Sequence, residues 1–363
     1  MNFSLNLPVA HPLRLRSFRH TIAVTSAVLL AACSQPPSGP LDKLGADPSL
    51  TMNTSAGRPT PLLGVQQGPG CTGTGRIPQF AAWLGREPDL MLDYLDDRSW
   101  LHLTQTEWWT GCWKKAGRRP ALSISMLPRA GGDTLALGAS GAYDEYFRTI
   151  ATKLVAAGYG DLILRIGWEF NAEWFTWRAA ADPTNWVLYW RRIVTAMRSV
   201  PGANFRFDWS TAHGTRQIDP ALVYPGDAYV DIIGMDIYNV SWRYKTDPVA
   251  RWNELLTAPN GLEWLRKFAA LHGKPISFSE WGTGTNASGT GGGDDAFFIN
   301  QMAAFIRANN VIYHTYWDET SSFNAKLSNG LQPAAGAAYR ENFGPQSGYA
   351  VPASAPAAAP TTK

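Results

Sequence analysis

The amino-acid sequence predicts an α/β protein closed into a (β/α)8 TIM barrel. Three observations carry this expectation. Eight short, continuously apolar runs lie between residues 62 and 343; longer stretches with apolar residues at helical spacing separate most of them; and eight such units fit into about 280 residues. Parallel strands covered by helices on both faces read as unbroken apolar runs rather than as alternating ones. A doubly wound open sheet is the competing architecture, but no glycine-rich phosphate turn follows the first run.

The elements follow in order. LLGVQQG (62–68) is the first strand, and IPQFAAWLG is a short helix before the second strand, DLMLDYL (89–95). A Trp-rich helical stretch leads to ALSISMLP (121–128). YDEYFRTIATKLVAAG has apolar residues at helical spacing and stops at Gly158, a residue that ends helices well. LILRIGWEF (162–170) is the fourth strand, and DPTNWVLYWRRIVTAMRSV starts with an Asp cap and a proline in the first turn, as helices do. FRFDWST (205–211) and VDIIGMDIY (230–238) are the fifth and sixth strands, with VARWNELLTAPNGLEWLRKFAALHG as helical cover. PISFSEWG (275–282), the helix DDAFFINQMAAFIRANN, VIYHTYWD (311–318) and a last helix, PAAGAAYRENF, complete eight units.

The two ends fall outside this pattern. Arg14, Arg16 and Arg19 precede TIAVTSAVLLAA, an apolar run too short to span a bilayer and of signal-peptide proportions. It ends LAAC, which resembles the bacterial lipobox, and that resemblance implies cleavage before Cys33 and lipidation of its thiol; an ordinary secretion signal with a spare cysteine is the alternative. Ser34 in place of Asp implies the outer membrane, so a lipid-anchored cell-envelope protein is expected. Residues 1–32 are thus read as a lipoprotein signal peptide, 33–60 as a flexible tether, 61–344 as the catalytic barrel and 345–363 as a disordered Pro/Ala-rich tail. In an exported protein disulfides persist, so Cys71 and Cys112 are expected to be bridged. The net charge of +3 and a charged fraction of 17% provide no field to hold a polyanion, and nucleic acid is not an expected partner. Sixteen tryptophans among 363 residues is the compositional oddity, since large flat rings stack on flat ligands as well as filling cores. A monomer is expected.

Barrels of this kind place their chemistry at the C-terminal ends of the strands. Two glutamates stand there, Glu169 ending the fourth strand and Glu280 the seventh. Glu169 sits in RIGWEFNAEWFTW, among Trp168, Phe170, Trp174, Phe175 and Trp177. A carboxyl group among rings loses solvation and tends to stay protonated near neutral pH. Paired carboxylates in an aromatic cleft are the apparatus for cleaving a glycosidic bond, with the rings taking the C–H face of each sugar. Trp174 and Trp177 read as stacking residues on the leaving-group side. Arg165, four positions before Glu169, points inward one layer lower, where it either holds Glu280 ionised or makes a structural ion pair. His213 and His314 follow strands five and eight with no third ligand at sensible spacing, so neither a metal nor another cofactor is expected.

RIGWEFNAEWFTW together with SFSEWG resembles glycoside hydrolase clan A, and most specifically family 26, whose members cut β-mannans, mixed-linkage β-glucans and β-1,3-xylans. The resemblance spans nearly the whole barrel. In the strand-four motif Arg165, Trp168, Glu169, Phe170, Asn171, Ala172 and Trp174-Phe175 fall in step. It implies Glu169 as acid/base, Glu280 as nucleophile, Tyr238 of GMDIY as the hydroxyl bonded to the nucleophile, and Trp317 as the aromatic floor beside the cut. Trp168, Asn171, Trp174, Phe175, Trp281 and Arg165 complete the expected substrate contacts. Trp168 stands where mannan-cutting members carry His, and Ala172 departs from their glycine, so the resemblance does not settle the sugar. It implies an endo-acting, retaining hydrolase of a polysaccharide, with the two carboxyl groups about 5 Å apart. A hydrolase processing the cell's own exopolysaccharide and a silent polysaccharide-binding lipoprotein are the rivals.

Overall fold

A computed structural model describes residues 60–349. The expected signal peptide, Cys33, nearly all of the tether and most of the tail lie outside the described residues. Eight parallel strands close into one barrel: β1 (Leu62–Gln66), β2 (Leu90–Tyr94), β3 (Pro120–Ile124), β4 (Ile163–Ile166), β5 (Arg206–Ala212), β6 (Ile232–Tyr238), β7 (Ile276–Gly282) and β8 (Val311–Trp317). Closure comes from β1 against β8, in register from Leu62 opposite Tyr313 to Gln66 opposite Trp317. Among the described residues ten α-helices form the outer layer: α1 (Gly70–Leu84), α2 (Trp100–Thr104), α3 (Glu107–Ala116), α4 (Leu135–Ser140), α5 (Asp144–Ala156), α6 (Pro183–Arg198), α7 (Pro248–Thr257), α8 (Leu262–Leu271), α9 (Ala296–Ala308) and α10 (Pro333–Phe343). No α-helix covers the passage from β5 to β6, which makes only a 3-10 turn. None of the described helices is long and apolar enough to cross a membrane.

The helix ends obey local chemistry. Asp182, Asp247 and Asp295 each cap the N-terminus of a helix by accepting a backbone N–H three residues on, and Pro183 and Pro248 occupy the first turn. Gly158 closes the turn after α5 at φ +86°.

Three departures from the sequence pattern matter for function. Helix α1 starts at Gly70, well before the expected Ile77, although glycines and Pro78 disfavour it. Two tertiary restraints outweigh that propensity: Asp93 accepts the Gly70 N–H at 2.8 Å, and Cys71 is joined to Cys112 of α3. Strand β4 ends at Ile166, short of the expected Phe170, because Gly167 and Glu169 both take φ +52° and turn the chain off the barrel. A side chain at Gly167 would also run into Met126. In β7 the register against β8 shifts between Phe278 and Trp281. Such a bulge re-aims side chains, and here the consecutive Ser279 and Glu280 both face the barrel interior.

The barrel interior is layered. Leu90, Leu92, Ala121, Ile163, Ile232 and Tyr313 form an apolar plug. A polar layer adjoins it, where the buried Asp208 accepts hydrogen bonds from Ser277, Ser279 and Tyr313. Arg165 lies fully buried between β3 and β5.

Candidate active site

Glu280 is 7% exposed at the interior end of β7. Its Oε1 accepts from the Arg165 guanidinium at 2.8 Å and from the Tyr94 hydroxyl at 2.6 Å, while its Oε2 accepts from the Tyr238 hydroxyl at 2.8 Å. A carboxylate's two oxygens offer room for all three donors. The other end of the Arg165 guanidinium bonds Asp236, and Asp236 in turn accepts the Glu280 backbone N–H at 3.1 Å. Arg165 therefore fills both roles left open by the sequence, holding the glutamate and making a buried ion pair. Burial works against its charge, but the Glu280 carboxylate and the neighbouring phenol of Tyr94 outweigh it, leaving its pKa raised. Burial, and next the negative charge of Glu280, push the phenols of Tyr94 and Tyr238 far up, so both remain donors.

Glu169 stands in different surroundings. Its backbone N–H donates to Ser210 at 2.9 Å, fixing the turn after β4, and its Oε2 accepts the indole N–H of Trp174 at 2.7 Å. Burial, and then the charge of Glu280, raise its pKa to about 7; Arg165, the Trp174 hydrogen bond and Arg216 act in the opposite direction. The two glutamates thus differ in kind: one is surrounded by donors, and the other is poised to carry a proton.

Aromatic rings frame the pair. Tyr94 meets Trp168 edge-on at 5.2 Å and Trp317 at 6.5 Å, and Tyr238 lies 6.4 Å from Trp317 and 4.9 Å from Phe323. A two-stranded ribbon, Thr285–Asn286 with Phe323–Asn324, brings Phe323 there. Trp168 is wedged between Tyr94 and Phe175, with the Arg165 guanidinium 5.4 Å from its ring centre. Beside Glu169 opens a groove of about 530 Å³, lined among others by Trp174, Arg216, Tyr238, Trp242, Arg243 and Phe323. Trp174 is 48% exposed and Trp242 72%.

Several expected contacts fall elsewhere. Trp281 is fully buried and faces away from the cleft, packed on His314, Tyr316, Tyr339 and Phe343, because the bulge that turns both Ser279 and Glu280 inward shifts the alternation of β7 by one residue. It is not placed to touch a sugar. Trp177 is likewise buried, stacked under Phe175 at 4.4 Å with its N–H donated to the Trp168 carbonyl. Asn171, also buried, donates to the carbonyls of Ala212 and Gly214 and accepts the Ala212 N–H, so it braces the loop after β5. Tyr94 was hidden in an apolar run; a hydroxyl-tipped ring at a strand's C-terminal end is the signal that could have found it. Asp318 serves structure, accepting from Gln67, Ser328 and the Leu327 N–H. Burial holds His213 near 4 and His314 near 3, so both are neutral at ordinary pH. Among the described residues no group of three or more His, Cys, Asp or Glu side chains could hold a metal ion.

Residues 151–274 match Glycosyl hydrolase family 26, a segment that includes Glu169 and Tyr238 and stops before Glu280. The chain is 26% identical over 183 residues to a mannan endo-1,4-beta-mannosidase of Bifidobacterium adolescentis, covering 47% of this chain and 18% of that protein. It is 27% identical over 220 residues to endoglucanase H of Acetivibrio thermocellus, covering 56% and 22%. The chain therefore spans about a fifth of the length of the curated relatives it matches. Among solved structures, a modular endo-beta-1,4-mannanase from Cellulomonas fimi aligns at a TM-score of 0.56 and 19% identity, over 76% of this chain and 70% of that one. The β-mannanase BoMan26A from Bacteroides ovatus aligns at 0.54 and 17%, over 78% and 89%. The structural likenesses establish the barrel fold; the family match and the curated relatives support a glycoside hydrolase.

Proposed function

We propose that this chain is a retaining, endo-acting glycoside hydrolase that cuts internal β-glycosidic bonds of a polysaccharide of mannan, glucan or xylan type. The observation that carries the reading is the contrast between the two glutamates, one held by a guanidinium and two phenols, the other raised to about 7. In the first step Glu280 attacks the anomeric carbon while Glu169 gives its proton to the departing oxygen. In the second, Glu169 takes a proton from water, which displaces Glu280. Tyr94, Tyr238 and Arg165 fix the attacking oxygen atoms, and the rings of Trp168 and Trp317 exclude water around them.

Alanine variants test the roles. Glu169→Ala should lose natural substrates by about 10² to 10⁴-fold yet still react with an activated aryl glycoside, whose leaving group needs no proton, and azide should then restore turnover with retention. Glu280→Ala should fail on both, with azide giving an inverted product. Equal loss on both substrates in Glu169→Ala with no azide effect, or full activity in either variant, refutes the assignment; no cleavage of any β-glycan by the native protein supports the silent binder instead.

The lipobox-like LAAC supports anchoring through Cys33 in the cell envelope, at the outer membrane. Cys33→Ala should abolish labelling by radioactive palmitate, and a variant still labelled there removes the anchor.

A further inference from the structure

We propose that the groove beside Glu169 is built for a sugar bearing a carboxylate, bound by Arg216 and Arg243; this rests on the glycan-hydrolase reading and names its substrate class. Two arginines line this groove and a lysine stands over one of its rings. Arg216 stacks its guanidinium over Trp174 at 5.6 Å, Arg243 lies over Tyr244 at 5.2 Å, and the Lys245 ammonium sits 5.9 Å from the ring centre of Trp242. None of the three makes an ion pair among the described residues. Arg216 donates its Nε to the His213 carbonyl at 3.0 Å, and its two terminal nitrogens have no acceptor among the described residues. Of the acidic groups lining the groove, Asp236 is tied to Arg165 and Glu169 carries the catalytic proton, which leaves Glu254 alone against the three cations.

The loop that presents Arg216 is held deliberately. Arg216 has φ +54°, one of three non-glycine residues in the left-handed region among those described, and Asn260, another of the three, props the same loop. The Asn260 carbonyl accepts the Gly214 N–H at 3.1 Å and its side chain accepts the Thr215 hydroxyl at 2.5 Å, while Asn171 bonds Gly214 from the other side at 2.8 Å. An unfavourable backbone kept by this many bonds points to a use for the side chain it aims. A planar guanidinium whose terminal nitrogens are free suits a carboxylate approached edge-on. Stacked on Trp174, which donates to Glu169, Arg216 also sits where an arriving anion acts on the proton donor. Arg216 draws the Glu169 pKa down, and a substrate carboxylate neutralising it would keep the acid protonated.

The test uses matched oligosaccharides of β-mannan and β-glucan, unmodified or oxidised at C6 to carboxylates. Binding is followed by tryptophan fluorescence of the full mature protein. The oxidised form should bind about 10-fold more tightly at low salt, with the advantage shrinking near 0.5 M NaCl. The ratio should fall towards one in Arg216→Gln/Arg243→Gln, whose folding is checked by its melting curve. The alkaline limb of kcat, which reports the enzyme–substrate complex, should also lie higher for oxidised than for unmodified substrates. A ratio at or below one in the native protein, or a ratio unmoved by the double substitution, overturns the proposal. Cleavage of neutral chains with rejection of oxidised ones sinks this inference alone; arginine-dependent binding of oxidised chains with no cleavage of anything sinks the hydrolase reading alone.

Discussion

Glu169 is a single carboxyl group on which opposing influences act, and in the proposed reaction its protonation state decides whether the leaving oxygen receives a proton. Burial and the negative Glu280 raise its pKa to about 7, whereas the indole N–H of Trp174 stabilises its charged form. Since the protonated form is the reactive one, kcat/KM should fall as pH rises through about 7. Trp174→Phe keeps a ring but removes the donor, so the pKa should rise and the alkaline limb should move to higher pH. A limb that stays in place or moves down would show that this hydrogen bond does not set the titration. The same raised pKa has a stability consequence. The folded state binds this proton more tightly than the unfolded chain, so the contribution is complete below about 4.5 and lost as pH rises through about 7. Glu169→Gln, uncharged throughout, should therefore be the more stable protein at pH 8, by on the order of 1–3 kcal/mol in denaturant titrations.

At the scale of elements, both glutamates were legible because each ends an apolar run beside rings, a setting a solvated acid does not need. Their delivery was not. Glu169 reaches the cleft because β4 stops early at two left-handed residues, and Glu280 because a bulge breaks the alternation of β7; both depend on neighbouring strands that a single run cannot report. For the same reason Trp281 read as a site residue and proved to be core. The early start of α1 is the clearest case of tertiary override, and it yields a test. The Cys71–Cys112 bridge closes a sequence separation of 41 between α1 and α3, with Cα atoms 4.9 Å apart. Chain-entropy arguments put a loop of that size at about 4 kcal/mol, an upper figure because unfolded chains retain structure. Cys71→Ala/Cys112→Ala should lower the melting temperature by several degrees and loosen α1 first, seen as faster amide exchange over Gly70–Ile77, with the alkaline limb unmoved. Unchanged exchange in that segment would mean that Asp93 holds the helix start by itself.

Over the whole barrel, the closure made by β1 against β8 is reinforced by a relay that no local pattern announced, because its outermost members are nearly 300 positions apart and the sequence placed the fold's end at residue 344. Residues beyond that point pack onto the barrel. Trp281 donates its indole N–H to His314 Nδ1 at 3.2 Å, which leaves His314 Nε2 to donate to the Tyr349 hydroxyl at 3.0 Å, and that hydroxyl donates to the Pro61 carbonyl at 2.9 Å. Arg86 holds the Tyr349 carbonyl at 3.1 Å, and the Tyr349 ring meets Phe343 and His314 edge-on. The two ends of the described chain are thereby fastened across β8. Tyr349 is 8% exposed, so removing its ring costs packing as well as polar contacts. Tyr349→Phe leaves the ring and strands a buried imidazole N–H and a carbonyl, at a cost of about 1–3 kcal/mol, whereas Tyr349→Ala also opens a cavity, for about 3–5 kcal/mol in all. Denaturant unfolding of the three proteins separates the terms. If Tyr349→Phe is as stable as the parent while Tyr349→Ala is not, the ends are held by packing alone and the relay adds nothing. A loss shared between the two steps means that the hydrogen-bonded chain through neutral His314 is part of what keeps the barrel shut.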